Sequence, residues 1–273
     1  MNTKSPKELA FLLDLYVATD WGERFVELVD EHVELPKEGR ALYVSAGTGE
    51  HAMSLQQRAG RKLQFLFVDG NNECLELARA KAVVVNQDAE FQQEDPCALT
   101  FKDDQFDLVL GDASLISSDD SSKMVDELIR VARPGATVAF WLPTFSSFGE
   151  FFSIYWEALQ SAGLGDHGAD VENLITHLPT ISGTESAAGR SGLDDVASWT
   201  NVEEFDFESG AEFFNSPLIT DFLLPNWLNT VPEATRPTVV EKLASIIDEE
   251  RHQGEFALTL KATLVVGKKA RLQ

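Results

Sequence analysis

The chain has 273 residues, 44% of them hydrophobic, enough to bury a sizeable core in one elaborated domain. Its 45 acidic and 22 basic residues leave a net charge of −23, a field that repels phosphate backbones and anionic membrane surfaces, so nucleic acid is not expected as a partner. Cys74 and Cys97 form no C-x-x-C pair, His32, His51, His167, His177 and His252 show no H-E-x-x-H spacing, and no apolar run approaches a membrane span; no metal site is expected, and a reduced cytoplasmic compartment fits.

Ser5-Pro6-Lys7-Glu8 reads as a capping box with proline in the first helical turn. Asp14 interrupts the apolar run behind it and no small-residue cleavage site follows, so this is an amphipathic helix and not a signal peptide. Asp20-Trp21-Gly22-Glu23 restarts a helix with Phe25, Val26, Val29 and Val33 inward, closed by Pro36 and Gly39. Ala41 to Ser45 is a first strand, and Ser45-Ala46-Gly47-Thr48-Gly49 is a Gly-rich turn into a helix that ends near Ala59. A strand, glycines and a helix start together make a cradle, because glycine lets a ligand approach the backbone and the free N–H groups of the helix point at it.

Leu63 to Asp69 is a second strand, mostly apolar as a parallel strand buried on both faces should be, and it ends on an acidic residue. Asn71 to Val84 is helical, Glu90 to Gln93 a short strand, and Phe106 to Leu110 a strand ending at Gly111-Asp112. Ser122 to Ala132 is a helix, and Pro134-Gly135 turns the chain into a fifth strand, Ala136 to Leu142. This alternation predicts a doubly wound parallel sheet, whose ligands bind at the carboxyl ends of the strands. Four such ends carry candidate groups: Ser45–Gly49, Asp69, Glu94-Asp95 and Gly111-Asp112.

Ser147-Phe148-Gly149-Glu150 reads as a second capping box, before a helix rich in aromatics (Phe148, Phe151, Phe152, Tyr155, Trp156). A short helix is expected over Val171 to Leu178, and Ser182-Gly183-Thr184-Glu185 as the cap of another. Val196 to Glu208 is a strand, Ser209 to Arg251 wholly helical with Pro217, Pro225, Pro232 and Pro237 as punctuation, and Glu255 to Val266 a long last strand. The whole is one domain: N-terminal helices over 1–40, a cofactor-binding core over 41–142, a helical insertion over 147–192 and a helical cap over 209–251.

On these residues the chain resembles the class I methyltransferases that use S-adenosylmethionine, strongly over 41–142 and by strand order at the last two strands. The resemblance implies a Rossmann-like α/β sheet of seven strands, the last antiparallel and inserted between the fifth and sixth, with helical cap insertions. It implies S-adenosylmethionine as cofactor, S-adenosylhomocysteine as product, and Ser45, Ala46, Gly47, Gly49, Asp69, Gly70, Asp95, Pro96, Gly111 and Asp112 around it. Asp69 then holds the ribose hydroxyls and Asp95 the adenine amino group. Asp69 lies 22 residues after Gly47, as a strand–helix–strand unit requires. Asp107, at the start of its strand, reads as structural, and Arg130-Val131-Ala132-Arg133-Pro134-Gly135 matches the family's turn into the fifth strand. Two positions depart from the pattern: the family sets an acid where Tyr43 stands and a first glycine where Ser45 stands.

The activity so implied is methyl transfer to a small, largely apolar acceptor, in a pocket lined by the Phe148–Trp156 helix and by Phe213, Phe214, Phe222 and Trp227; the same aromatics read equally as core. Proton-accepting candidates are Asp112, Tyr155 and His177. Two rival readings remain. Gly47-Thr48-Gly49-Glu50-His51-Ala52 also fits the looser dinucleotide fingerprint of a nicotinamide-dependent oxidoreductase, and Tyr43 with Ser45 suits a methyltransferase-like binding or scaffold protein without catalysis. Neither the acceptor atom nor the oligomeric state follows from these residues.

Overall fold

The computed structural model describes residues 4–229, 231–250 and 256–271; Arg251 and Glu255, where two expected elements end and begin, lie outside them, as does His252. Strands β1 (Gly39–Val44), β2 (Leu63–Asp69), β3 (Glu90–Gln93), β4 (Phe106–Asp112), β5 (Ala132–Pro143), β6 (Leu193–Phe207) and β7 (Phe256–Lys269) form a seven-stranded sheet in the order β3-β2-β1-β4-β5-β7-β6. The first five pair in parallel. β7 runs antiparallel between β5 and β6: the Lys268 ammonium reaches Thr137 Oγ1 (2.6 Å), while Thr144, just past β5, donates its N–H to the Lys261 carbonyl (3.1 Å), so one strand advances as its neighbour retreats.

Strand β5 starts earlier than its sequence suggests. Ala132 already pairs with Phe106, and the register then shifts before Thr137 pairs with Leu108. Arg133-Pro134-Gly135 is therefore an irregularity inside the strand. Proline offers no N–H to a ladder and Gly135 takes φ +85°, so this stretch bulges instead of ending the pairing.

Helices α1 (Pro6–Leu12) and α2 (Glu23–His32) are joined by a π-helical stretch, Leu13–Gly22, with no break between them. The expected restart at Asp20 does not occur: Gly22 stays right-handed at φ −61°, and Asp20 pairs with Arg24 one turn on (3.1 Å) instead of capping. The Ser5–Glu8 capping box does form. Helices α3 (Glu50–Ala59), α4 (Asn72–Val84) and α5 (Ser118–Val131) follow as crossovers, α4 capped by the Asn71 side chain and α5 by Ser117.

After β5, helix α6 (Gly149–Ser161) opens on Phe148 at φ 63°, with no side-chain cap. The box expected there is spent elsewhere: Ser147 Oγ donates to the Thr144 carbonyl (2.8 Å) and accepts from Lys261 N–H (2.9 Å), and Glu150 accepts from Thr259 N–H (3.2 Å) and Oγ1 (2.7 Å). α7 spans Gly168–His177, and α8 (Ile181–Arg190) begins before Ser182, which thus sits inside it. The region expected to be wholly helical breaks into α9 (Gly210–Asn215), a π-helical stretch (Leu218–Leu223), α10 (Leu224–Trp227), a 3-10 turn (Glu233–Thr235) and α11 (Arg236–Glu250), with prolines at or beside the breaks.

The chain divides into two compact units. The larger holds Lys4–Leu142, Ile181–Thr200 and the residues from Thr263 on; its core includes Leu42, Val44, Val68, Val109, Leu128 and Val265, all buried. The smaller holds Pro143–Thr180 and Asn201–Ala262. Its core is an aromatic cluster in which Phe151 lies 4.3 Å from Trp227 and stacks on Phe213 at 5.7 Å, centroid to centroid. No helix among the described residues is long and apolar enough to cross a membrane.

Candidate functional site

The carboxyl ends of β1, β2 and β4 gather the predicted residues in the larger unit. Between β1 and α3 the backbone is left-handed three times, at Ser45 (φ 58°), Gly47 (φ 57°) and Gly49 (φ 83°). Ala46 N–H donates to the Val68 carbonyl (3.0 Å) and Gly49 N–H to the Ala46 carbonyl (3.2 Å), so the turn is pinned to β2. The two glycines act differently. A Cβ at Gly49 would lie 2.7 Å from Ala78 Cβ, so its bareness lets α4 pack close. A Cβ at Gly47 would meet only Leu13 Cδ2, at 3.7 Å, an ordinary contact, so packing does not require the bareness there. Ser45 adopts a left-handed conformation that glycine takes without penalty, at a strain cost of about 1–2 kcal/mol.

Asp69, at the end of β2, faces this turn. Its Oδ2 accepts the Gly47 N–H (2.9 Å) and its Oδ1 the Asn71 N–H (2.8 Å). Burial pushes the carboxyl up and these two donors pull it down. A carboxylate has about four lone-pair directions, so vicinal hydroxyls still find acceptors. Gly70 lies alongside Pro96: a Cβ there would sit 3.6 Å from Pro96 Cδ, and Glu94 N–H donates to the Asp69 carbonyl (3.1 Å). Asp95 is exposed and its Oδ1 accepts Cys97 N–H (2.9 Å), a local turn bond. Buried Glu94 is structural, accepting from Thr100 N–H (2.8 Å) and Oγ1 (2.6 Å).

At the end of β4 the two neighbours diverge. Gly111 turns to α5, where a Cβ would fall 2.4 Å from Leu128 Cδ1 and 2.8 Å from Met124 Cε; its bareness serves packing. Asp112 is half-buried, accepts Ser114 N–H (2.8 Å), and burial raises its proton affinity. Asp107, read as structural, accepts Arg40 N–H (2.9 Å) and pairs with Arg133 (2.7 Å). Arg130 staples the preceding loop to α5 through the Phe101 (2.7 Å) and Leu99 (2.9 Å) carbonyls and Glu127 (2.7 Å).

Some site neighbours escaped the sequence reading. Tyr43 Oη lies 3.2 Å from His51 Nδ1, and His51 Nε2 lies 3.1 Å from Asp30 Oδ1. Arg58 pairs with the same Asp30 oxygen. The N-terminal rod crosses the strand ends: Asn71 Nδ2 donates to the Pro6 carbonyl (3.1 Å), Lys81 pairs with Asp14, and Trp21 Nε1 donates to Ser114 Oγ (3.1 Å). The only sequence signal was His51 in the first turn after the glycines. Of the two further proton-accepting candidates, Tyr155 is fully buried in the aromatic cluster of the smaller unit, and His177 is exposed at the end of α7. Phe148, Phe151, Phe152, Phe213 and Trp227 pack on one another there as core.

A seven-stranded Rossmann-like sheet with an antiparallel strand between the fifth and sixth is the class I methyltransferase fold. Residues 41–135 match the family described as the methyltransferase domain. It is 31% identical over 140 residues to a demethylmenaquinone methyltransferase of Thermus thermophilus, covering 50% of this chain and 61% of the relative. In three dimensions it is similar to the YcgJ protein of a Bacillus (TM-score 0.59, 17% identity, 92% and 100% of the two chains). It is also similar to a Haemonchus contortus phosphoethanolamine N-methyltransferase solved with S-adenosyl-L-methionine (TM-score 0.53, 14% identity, 99% and 61% covered). The chain spans only 35% to 61% of the length of several curated relatives it matches.

Proposed function

We propose that this protein binds S-adenosylmethionine at the β1, β2 and β4 ends and transfers its methyl group to a small, largely apolar acceptor. The observation that carries the reading is the Gly47 N–H on Asp69, with Gly70 against Pro96: a glycine backbone, a carboxylate with spare lone pairs and the loop after β3 meet on one rim. These groups fit an adenosine. Asp69 takes the two ribose hydroxyls, Asp95 and Pro96 flank the base, and Ser45, Ala46 and Gly47 run beside the chain beyond the ribose. When bound, the cofactor supplies a methyl group already activated by its sulfonium. The protein's task is to hold the acceptor in line and to exclude water. Where the acceptor must lose a proton, Asp112 is the group suited to take it, since burial raises its proton affinity.

The Thermus relative is a demethylmenaquinone methyltransferase, which supports an apolar, quinone-type acceptor. The compartment we take to be the cytoplasm, in keeping with Cys74 and Cys97 as free thiols. Native mass spectrometry of the purified protein, followed by calorimetry with S-adenosylhomocysteine, tests the reading. A co-purifying adenosyl nucleoside, or micromolar binding of the added one, supports it. Tighter binding of NAD, or no nucleoside binding at all, overturns it. The second outcome favours a non-catalytic relative, the reading that Ser45 at φ 58° and Tyr43 in place of an acid would support.

A further inference from the structure

We infer that the outer face of the N-terminal rod, with the end of α4 beside it, rests on a lipid bilayer surface from which the site draws its apolar acceptor. The source of the acceptor rests on the methyl-transfer reading above; the docking surface itself does not.

Among the described residues ten large apolar side chains stand exposed, and six of them are here. Phe11, Leu15 and Tyr16 lie on the rod, Val83, Val84 and Val85 at the end of α4, and each is between 44% and 85% exposed. Two contacts lay the helices side by side in parallel: Asn71 Nδ2 donates to the Pro6 carbonyl (3.1 Å), and Lys81 pairs with Asp14, at offsets of 65 and 67 residues. Tyr16 and Val83 keep the second offset and come level just beyond the Lys81–Asp14 pair. On the rod the inward positions are Ala10, Val17 and Trp21. Phe11 lies outside, and the wide π-helical turn brings Leu15 and Tyr16, four and five residues on, round to its side. A surface helix ordinarily turns its polar side to water, and an apolar face of this extent marks a surface that something covers.

Charge decides what covers it. The ionised groups within the patch are matched: Asp14 by Lys81, and Asp20 by Arg24 at 3.1 Å. Glu8 is taken up in its capping box, where it accepts the Ser5 N–H (2.7 Å) and hydroxyl (2.7 Å). Lys7, exposed one turn before Phe11, has the sign that suits a lipid phosphate. The molecule as a whole carries −23, so a second copy brings the same charge and is repelled, as is any anionic partner. A zwitterionic lipid surface has no net charge, and a helix face enters its interface through buried apolar area. The place fits the function. Leu13, on the inner side of the same segment, lies 3.7 Å from where a Gly47 Cβ would be, so the glycine turn is about one helix diameter, roughly 10 Å, from the lipid. A largely apolar acceptor leaves water for the bilayer, and the rod holds the site beside that store.

The experiment sediments the full chain with phosphatidylcholine vesicles. Wild type is expected to partition onto them. Added phosphatidylglycerol is expected to weaken binding in roughly 0.01 M salt and to lose that effect in about 0.3 M, where the repulsion is screened. Phe11→Ser with Leu15→Ser, and separately Val83→Ser with Val84→Ser, are each expected to lower the partition coefficient about tenfold or more, because each removes apolar area that enters the lipid. All four side chains are exposed, so the melting temperature is expected to hold. Val202→Ser, at an exposed valine of β6, is the control and is expected to bind as wild type does. A wild type left in the supernatant, binding only to phosphatidylglycerol and abolished by salt, or an equal loss in Val202→Ser would each overturn the inference. So would a wild-type dimer that these variants dissociate, which assigns the face to a second copy. Calorimetry with S-adenosylhomocysteine reads the other proposal separately: vesicle binding without nucleoside binding keeps the lipid surface and overturns the methyl-donor reading.

Discussion

Ser45 stands where the chain leaves β1, at φ 58°, a conformation that costs an L-residue about 1–2 kcal/mol and costs glycine nothing. Ser45→Gly is therefore expected to raise the melting temperature by about 2–4 °C, the equivalent of about 1 kcal/mol in a chain of this size; an unchanged or lower melting point would contradict the strain argument. Asp112 makes a second test. Its carboxyl has a higher pKa folded than unfolded, because burial disfavours the charge. Its ionisation thus opposes folding above the folded pKa, and the penalty fades as pH falls through that value and is gone below the unfolded value of 3.8. Asp112→Asn keeps an oxygen for the Ser114 N–H. It is expected to melt higher than wild type at pH 7, with the gap closing in acid; a gap independent of pH would refute the assignment. At this scale the sequence was readable where spacing alone fixed a partner, as for Gly47 and Asp69. It marked Tyr43 but not its partners, because Asp30, which holds His51, comes from a helix whose approach to β1 no local pattern encodes.

Helix packing explains which of these glycines the fold itself requires. Gly47, Gly49 and Gly111 look alike in sequence, yet a Cβ meets only an ordinary contact with Leu13 at the first and clashes with a packed helix at the other two. Gly111→Ala is expected to cost about 1–3 kcal/mol of stability by overpacking against α5, read as a shifted denaturant midpoint. Calorimetry on the folded fraction should show nucleoside affinity little changed; a stable variant with lost affinity would return Gly111 to the binding site. Element boundaries were legible where caps are local. The Ser5–Glu8 box and the Asn71 cap form as written. The Ser147–Glu150 box fails because β7, more than a hundred residues away in the chain, offers those side chains the backbone of Thr259 and Lys261. Residues 13–22 show the same limit: nothing in their composition marks a π-helical passage between two α-helices.

Taken whole, the molecule carries a net charge of −23, and its self-repulsion works against the compact state. Raising sodium chloride from roughly 0.01 to 0.3 M shortens the screening length from about 30 Å to under about 10 Å. Melting temperature is expected to climb over that range, as scanning calorimetry would record, and a fall would mean that the pairs Arg130–Glu127 and Lys269–Asp104 outweigh the repulsion. The parallel order of β1 to β5 followed from alternation of apolar runs and helical stripes. The positions of β6 and β7 followed only from resemblance, since pairing between distant segments leaves no periodic mark.

The N-terminal rod has a dual attachment. Its first half rests against Gly47 and reaches Asn71 and Lys81; its second half delivers Asp30 to His51. Cutting the chain after Gly22 would therefore strip the covering from the glycine turn while sparing Asp30 in the sequence, yet α2 would lose the segment that sets its start. Proteolysis in this short stretch would uncover the Gly47 turn and loosen the hold of Asp30 on His51 in a single event.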